Sequence, residues 1–175
     1  MSARPASSRG LMASFIVALG MSAGANAQGV VNMPKISAAL ANQLVGDSVA
    51  NCAKNGYKVV AVVVDLDGVR QALLRGDGAP IHSMDNAYYK AYTVASMGLA
   101  RKEESTKQIA DRMAKAPPSN VPVFPLPNIT YAQGALAIVH NGEMIGAVGV
   151  SGAPGGNFDE DCARFALDKV KDRMK

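Results

Sequence analysis

The chain has 175 residues, a formal net charge of +4, no tryptophan and only 5% aromatic residues. Its lysines and arginines alternate with acidic residues rather than forming a block, and few rings are available to stack on bases. Composition therefore gives no indication of a nucleic-acid-binding surface.

The first 27 residues have the three-part pattern of a secretory signal peptide. Arg4 and Arg9 form a positive n-region, and residues 11–21 form an apolar stretch shorter than the roughly 20 residues that span a bilayer. Residues 25–27 (Ala-Asn-Ala) fit the signal peptidase recognition pattern. An uncleaved membrane anchor is the alternative, which the shortness of the stretch disfavours.

Cleavage after Ala27 leaves 175 − 27 = 148 residues, and loss of the two arginines lowers the net charge from +4 to +2. This length suits one ordinary domain, residues 28–175. We expect that domain to be periplasmic or secreted, without stable insertion in a membrane.

The remaining chain begins with a helix and a strand hairpin. Apolar residues at helical spacing predict a helix over residues 38–55, capped by Ser37 and ended by Gly56. Residues 59–64 form a largely β-branched run, typical of a strand covered on both faces. A turn at residues 65–68 then leads into a second strand at 69–75.

The second half is predicted to contain two helices, a proline-rich loop, a second hairpin and a last helix. A helix capped by Ser83 or Asp85 is predicted to end near residue 100, and Ser105 caps a shorter helix that ends near residue 115. Five prolines make residues 116–128 an extended surface loop. Strands at 135–139 and 144–150, joined at an Asn-Gly turn, precede a last helix whose first turn is predicted to hold residues 159–161.

This order predicts an α+β fold, an antiparallel sheet covered by helices, with a helical pair between two hairpins. The helices at the two ends of the domain are expected to pack together on one face. Cys52 and Cys162 fall on these two helices. Export and antiparallel packing favour a disulfide between them, whereas two small buried core residues are the alternative.

Several kinds of site are excluded by their missing motifs. The chain has no P-loop, no strand-linked GxGxxG, no CxxC and no GxSxG. With two histidines and two cysteines it also lacks the ligands for a zinc site.

Polar residues concentrate around the loop that precedes the central helix: Arg75, Asp77, His82, Ser83, Asp85 and Lys90. Loop amides near Gly78 and the start of a helix favour an anionic group such as a carboxylate. Lys90, about two turns into the helix, is able to point back toward the same pocket. The alternative is a solvated loop, with Asp85 as a cap and Lys90 as a surface charge.

Four segments resemble the GlcG/HbpS family, also known as the extracellular haem-binding or haem-degrading domain and found at the C-terminus of PduO-type proteins. They are, in order, residues 62–68 (VVVDLDG), 75–79 (RGDGA), 90–93 (KAYT) and 145–152 (IGAVGVSG). The resemblance implies a profilin-like sandwich that assembles into homo-oligomers, often octamers. It also implies haem as the cofactor, because several members bind haem and some are reported to degrade it or to sense redox state.

The chain departs from the family pattern at two places. Gln133-Gly134 replaces a Gly-Gly pair, which alters the expected floor of the pocket, and the helix start carries His82 and Met84. The second departure adds a candidate haem ligand.

The first functional hypothesis is an exported haem-binding protein, acting as a sensor or scavenger. His82 is the candidate axial and metal ligand, assisted by Met84 or Tyr88. Arg75 and Lys90 are expected to pair with the haem propionates. A cap or a surface residue is the alternative role for His82.

His140 is a weaker candidate ligand, since a hairpin turn usually projects into solvent. The second functional hypothesis is a metal-free enzyme or accessory factor for a small organic acid, with Asp77 and Lys90 as acid and base.

Overall fold

The computed structural model describes residue 29 and residues 31–120 and 125–174. The signal-peptide pattern of residues 1–27 lies outside these described residues, as do residues 121–124 of the proline-rich segment. Residues Met33–Lys175 form one of two compact units, which contains every described helix and strand.

The secondary structure follows the order predicted from the sequence. Its regular elements are α1 (Ala38–Lys54), β1 (Val60–Asp65), β2 (Arg70–Arg75), α2 (Ser83–Thr93), α3 (Thr106–Lys115), β3 (Ala135–His140), β4 (Glu143–Ser151) and α4 (Gly156–Val170). Short 3₁₀ turns cover Pro118–Asn120 and Lys171–Met174. None of the helices in this described part is long and apolar enough to cross a membrane.

The four strands form one antiparallel sheet in the order β2-β1-β4-β3, which confirms the α+β class. β1 is central and buried along its whole length. Ala61 and Val63 face a core shared with α1 and α4, whereas Val60, Val62 and Val64 face a core shared with α2 and α3. The alternation of a strand thus fills both layers, as the β-branched run predicted.

The helices at the two ends of the domain pack antiparallel on one face of the sheet. Lys169 on α4 pairs with Asp47 on α1 at 2.6 Å, and Cys52 is disulfide-bonded to Cys162, with 5.6 Å between the Cα atoms. Of the two interpretations left open by the sequence, the disulfide is the one found. Because the helices run in opposite directions, the start of α1 lies beside the end of α4.

The helix predicted to reach residue 100 changes character after Thr93. Val94–Gly98 form a π-helical turn and Leu99–Arg101 a 3₁₀ turn. The Thr93 hydroxyl donates to the carbonyl oxygen of Tyr89 at 2.8 Å, four residues earlier, a bond that competes with regular helical pairing. The same hydroxyl accepts a hydrogen bond from the backbone N–H of Thr130 at 2.9 Å, which ties the chain just after the proline-rich segment to the helix.

Candidate functional site

The loop between β2 and α2 is folded around the side chain of Arg75. Its Nε and Nη2 atoms both donate to the carbonyl oxygen of Ala79, at 2.9 and 2.6 Å. The Gly76 N–H donates to the Val59 carbonyl at 2.9 Å, which fixes the loop to β1. Gly78 has a φ of +72°, a left-handed conformation that favours glycine. The predicted loop is therefore ordered, and Arg75 closes it.

A cavity of about 500 Å³ lies between this loop, the end of β2 and the C-terminal end of α1. Its walls are largely apolar, and its polar rim carries two cations and one carboxylate. The lining residues are Val49, Ala53, Gly56, Tyr57, Lys58, Val59, Leu74, Arg75, Gly76 and Asp77. This volume is within the range of small-molecule sites.

Lys58 is the rim residue that the sequence reasoning missed. A Cβ atom at Gly78 would lie 3.2 Å from Lys58 Cδ and 3.3 Å from Lys58 Nζ, so the lysine extends over the loop at this glycine. Among the described residues, no hydrogen bond or ion pair engages the Lys58 ammonium. No local motif marks this lysine, since it meets the loop only through the pairing of β1 with β2.

The start of α2 lies next in the chain but outside the cavity lining. His82 is exposed at the N-cap position and makes no capping bond. Ser83 is fully buried, with no hydrogen-bond partner for its hydroxyl in the described part of the chain. The predicted cap by Ser83 or Asp85 is wrong, because the carbonyls of Pro80 and Ile81 already accept from the first helical N–H groups.

The two side chains expected to assist His82 are both largely covered. Met84 is partly buried against the core shared by α2 and the sheet. Tyr88 is buried, its hydroxyl donates to the Gly68 carbonyl at 3.2 Å, and the Arg70 guanidinium lies 3.6 Å from its ring centroid. The hydroxyl and the ring of Tyr88 are therefore already engaged by other residues in this structure.

Lys90 does not point toward the loop and is not a surface charge. Its Nζ donates to Asp159 Oδ2 at 2.7 Å and to the Val150 carbonyl at 2.9 Å, with both charged side chains at most 4% exposed. Asp159 Oδ1 also accepts from the Ala153 N–H at 3.0 Å. The prediction that Lys90 shares a pocket with Asp77 is wrong, because the Lys90 ammonium forms an ion pair with the Asp159 carboxylate on α4.

Burial and pairing act in opposite directions on Asp159. Burial raises the pKa of the Asp159 carboxyl above its ordinary value, and the neighbouring Lys90 and the Ala153 N–H partly oppose that rise. α4 begins at Gly156, so of residues 159–161, which were predicted to lie in its first turn, only Asp159 does. Asp159 therefore lies in the first turn, facing inward, rather than serving as a solvated charge.

Gly134 gives the buried ion pair its space. Its φ is +135°, and a Cβ atom there would lie 2.7 Å from Lys90 Nζ and 2.8 Å from the Val150 carbonyl oxygen. The preceding Gln133, where the family pattern has glycine, donates to Glu160 Oε2 at 3.1 Å. The departure thus adds a bond between the entry to β3 and α4, away from the cavity.

The second histidine is half-buried, so the expectation that the hairpin turn projects it into solvent is wrong. His140 Nδ1 contacts the Met174 carbonyl oxygen, and Nε2 lies 3.0 Å from Asn141 Nδ2. The 3₁₀ turn after α4 covers this end of the hairpin. Within residues 31–120 and 125–174, no three His, Cys, Asp or Glu side chains are grouped to hold a metal ion.

The structure therefore brings together only part of the predicted site. Arg75 and Asp77 share the cavity with Lys58, and His82 follows on the same loop. Lys90 lies apart, inside the core.

A single antiparallel sheet between two helical layers, with a charged rim on a mostly apolar cavity, defines a small α+β domain. A family model described as "Haem degrading protein HbpS-like" matches residues 36–168. The chain belongs to this HbpS-like family, which confirms the resemblance drawn from the four segments.

Known relatives support this membership in sequence and in fold. An uncharacterized 15.0 kDa protein from the dhaT–dhaS intergenic region of Citrobacter freundii is 33% identical over 138 residues, 76% of this chain and 90% of the relative. A double mutant of HbpS from Streptomyces reticuli is 28% identical, with a TM-score of 0.72 over 91% of this chain and 99% of that one. The PduOC–haem complex is 24% identical, with a TM-score of 0.67 over 77% of this chain and 94% of that one, and shares the fold.

Proposed function

We propose that this protein binds haem outside the cytoplasm, as a sensor or scavenger. Membership of a family described as haem-degrading carries the proposal. A structural neighbour with the same fold is a haem complex, which supports the same ligand class. The cavity adds support, because apolar walls with cationic groups at the rim suit a flat apolar ring system that carries carboxylates.

The side chains of the β2–α2 loop fit haem as a ligand. Bound haem supplies an iron that accepts an imidazole as axial ligand. The His82 ring is exposed and makes no hydrogen bond to any other described residue, so its nitrogens are available. Arg75 keeps Nη1 free of the Ala79 carbonyl and is able to donate to a propionate. Lys90 is left out of the proposed contacts because Asp159 holds its ammonium.

Two features support an exported protein. The first 27 residues carry the signal-peptide pattern, and the domain contains the Cys52–Cys162 disulfide. Disulfides persist in oxidising compartments such as the periplasm and are rare in the cytosol. Fractionation of expressing cells tests this part, and a protein retained in the cytosol with its N-terminus intact would contradict it.

A homo-oligomer is part of the same proposal. Leu73, on the edge strand β2, is 39% exposed, and Ile81 on the adjoining loop is 75% exposed. Apolar side chains exposed on an edge strand are commonly covered by a partner. Light scattering of the purified protein tests the assembly, and a monomer mass would contradict it.

The organic-acid enzyme is not proposed. Its acid–base pair required Asp77 and Lys90 to act on one ligand, but Asp77 lines the cavity while Lys90 is 2% exposed beside Asp159.

Titration with haemin tests the proposed function. We expect a shifted Soret band with an affinity in the low-micromolar range, weakened by His82→Ala. His140→Ala is the matched control, because His140 is engaged with Met174 at the other end of α1, and it should leave the band unchanged. An unaltered band in His82→Ala would remove His82 as ligand, and no Soret shift in the wild type would overturn haem binding.

A further inference from the structure

We propose that the cavity between α1 and the β2–α2 loop is a recognition site for the carboxylate of an amphipathic acid, with Lys58 and Arg75 as the binding groups. The shared chemistry is an apolar body with a carboxylate at its edge. Haem, through its propionates, is one source of that chemistry, and in that form the inference rests on the proposed function. A free long-chain carboxylic acid is the other source.

The walls of the cavity select an apolar body. Val49 and Ala53 of α1 face Leu74 of β2 across a space of about 500 Å³. Leu74 is 40% exposed at the edge of the sheet, so a ligand that enters the cavity covers apolar surface that water now contacts. Burying such surface favours binding roughly in proportion to its area.

The cationic rim selects a carboxylate. In the described part of the chain, Lys58 has no carboxylate or carbonyl partner, although seven other lysines and arginines form ion pairs. Arg75 donates from Nε and Nη2 to the Ala79 carbonyl oxygen, and its Nη1 is left to donate to a ligand. With Asp77, the rim carries two positive charges and one negative charge. That balance suits one carboxylate and disfavours a polyphosphate.

The rim is held in place before any ligand arrives. The Gly76 N–H is bonded to Val59, and the Ala79 N–H is bonded to the Gly76 carbonyl at 3.0 Å. The absence of a side chain at Gly78 leaves the space over which Lys58 extends. A fixed loop lowers the entropy that binding costs.

The experiment compares free acids with their methyl esters on the full mature protein. The fluorescent probes are iron-free protoporphyrin IX and its dimethyl ester, and cis-parinaric acid and its methyl ester. We expect at least one free acid to bind about tenfold more tightly than its ester, the gain typical of a charge-assisted hydrogen bond. Lys58→Glu should abolish that difference by weakening the acid and leaving the ester unchanged.

Lys54→Glu is the matched control. This substitution changes the charge by the same amount four residues away, and Lys54 does not line the cavity. It should leave both affinities within about twofold. Equal binding of acid and ester by the wild type, no binding of either acid, or equal effects of Lys58→Glu and Lys54→Glu would each overturn the cavity site. Lys58→Met, with circular dichroism of all variants, separates lost recognition from lost folding.

The same measurements separate this inference from haem binding. The porphyrin probe contains no iron, so its affinity does not depend on His82. A wild type that binds parinaric acid in a Lys58-dependent way but shows no Soret shift with haemin supports the cavity site and overturns the proposed function. A Soret shift with haemin, without any preference for acid over ester, supports the proposed function and overturns the cavity site.

Discussion

Replacing Lys90 by methionine should destabilise the fold strongly, because it leaves the Asp159 carboxylate buried without its cation. Both side chains of this pair are at most 4% exposed, and the ammonium is 2.7 Å from the carboxylate. Removing one partner of a buried ion pair typically costs about 3–5 kcal/mol. The lost bond to the Val150 carbonyl adds to that cost.

The effect should depend on pH in a defined direction. Burial already raises the pKa of Asp159, and removing Lys90 raises it further, since Lys90 opposes that rise. Below the ordinary value of 3.8 the carboxyl is protonated in the folded and the unfolded chain, so the penalty is smallest there. It grows as the pH rises through the raised pKa of the folded state and is complete above it.

Equilibrium unfolding in urea, with the disulfide intact, measures this penalty. With a slope of about 2 kcal/mol per molar urea, the midpoint should fall by about 2 M at pH 7 and by less at pH 4. Lys107→Met is the control, because both side chains of its pair with Asp111 are more than half exposed and such a pair contributes little to stability. The double variant Lys90→Met with Asp159→Leu should recover much of the loss. A midpoint shift for Lys90→Met no larger than that of the control would refute the reasoning.

Three further predictions concern stability. Replacing Cys52 and Cys162 together by alanine should lower the free energy of unfolding by up to about 4–5 kcal/mol, since the bond closes a loop with a sequence separation of 110; urea unfolding measures this, and alkylation of both thiols in the exported wild type would contradict the bond itself. Gly134→Ala should destabilise, because its Cβ would meet Lys90 at 2.7 Å, and a thermal midpoint equal to that of the wild type would count against this account. Asp65→Asn should cost stability at pH 7 and progressively less as the pH falls below 3.8: burial alone would raise the Asp65 pKa, but hydrogen bonds from Lys35 and from two backbone N–H groups hold it below that ordinary value. Unfolding curves at pH 7 and pH 3 test this, and a constant difference between the two proteins would contradict it.

The fold could be predicted largely from the sequence because its signals are local. Ser37 accepts a hydrogen bond from the Leu40 N–H as a cap, and Asn141 and Gly142 adopt the positive φ of the hairpin turn. Ser105 caps α3 in the same way, through the Gln108 N–H. Each of these bonds joins residues within a few positions, so a pattern of residue types is enough to indicate it.

The site could be predicted only in part because its decisive contacts are long-range. Lys90 and Asp159 are 69 positions apart, and nothing near either residue marks it as buried. Lys58 precedes a strand and reaches Gly78 only after β1 and β2 have paired. Arg75 and Asp77 were found because the loop that holds them is continuous in sequence.

The antiparallel pairing of α1 and α4 also decides where this domain can be attached to something else. Its first and last described elements meet at one end, where Pro34 and Met174 line a common pocket. The cavity rimmed by Lys58 and Arg75 lies at the other end of α1, and a helix of 17 residues is about 25 Å long. A surface tether or a fused reporter attached at Pro34 or at Met174 would therefore start about 25 Å from the cavity, and joining these two positions requires only a short linker.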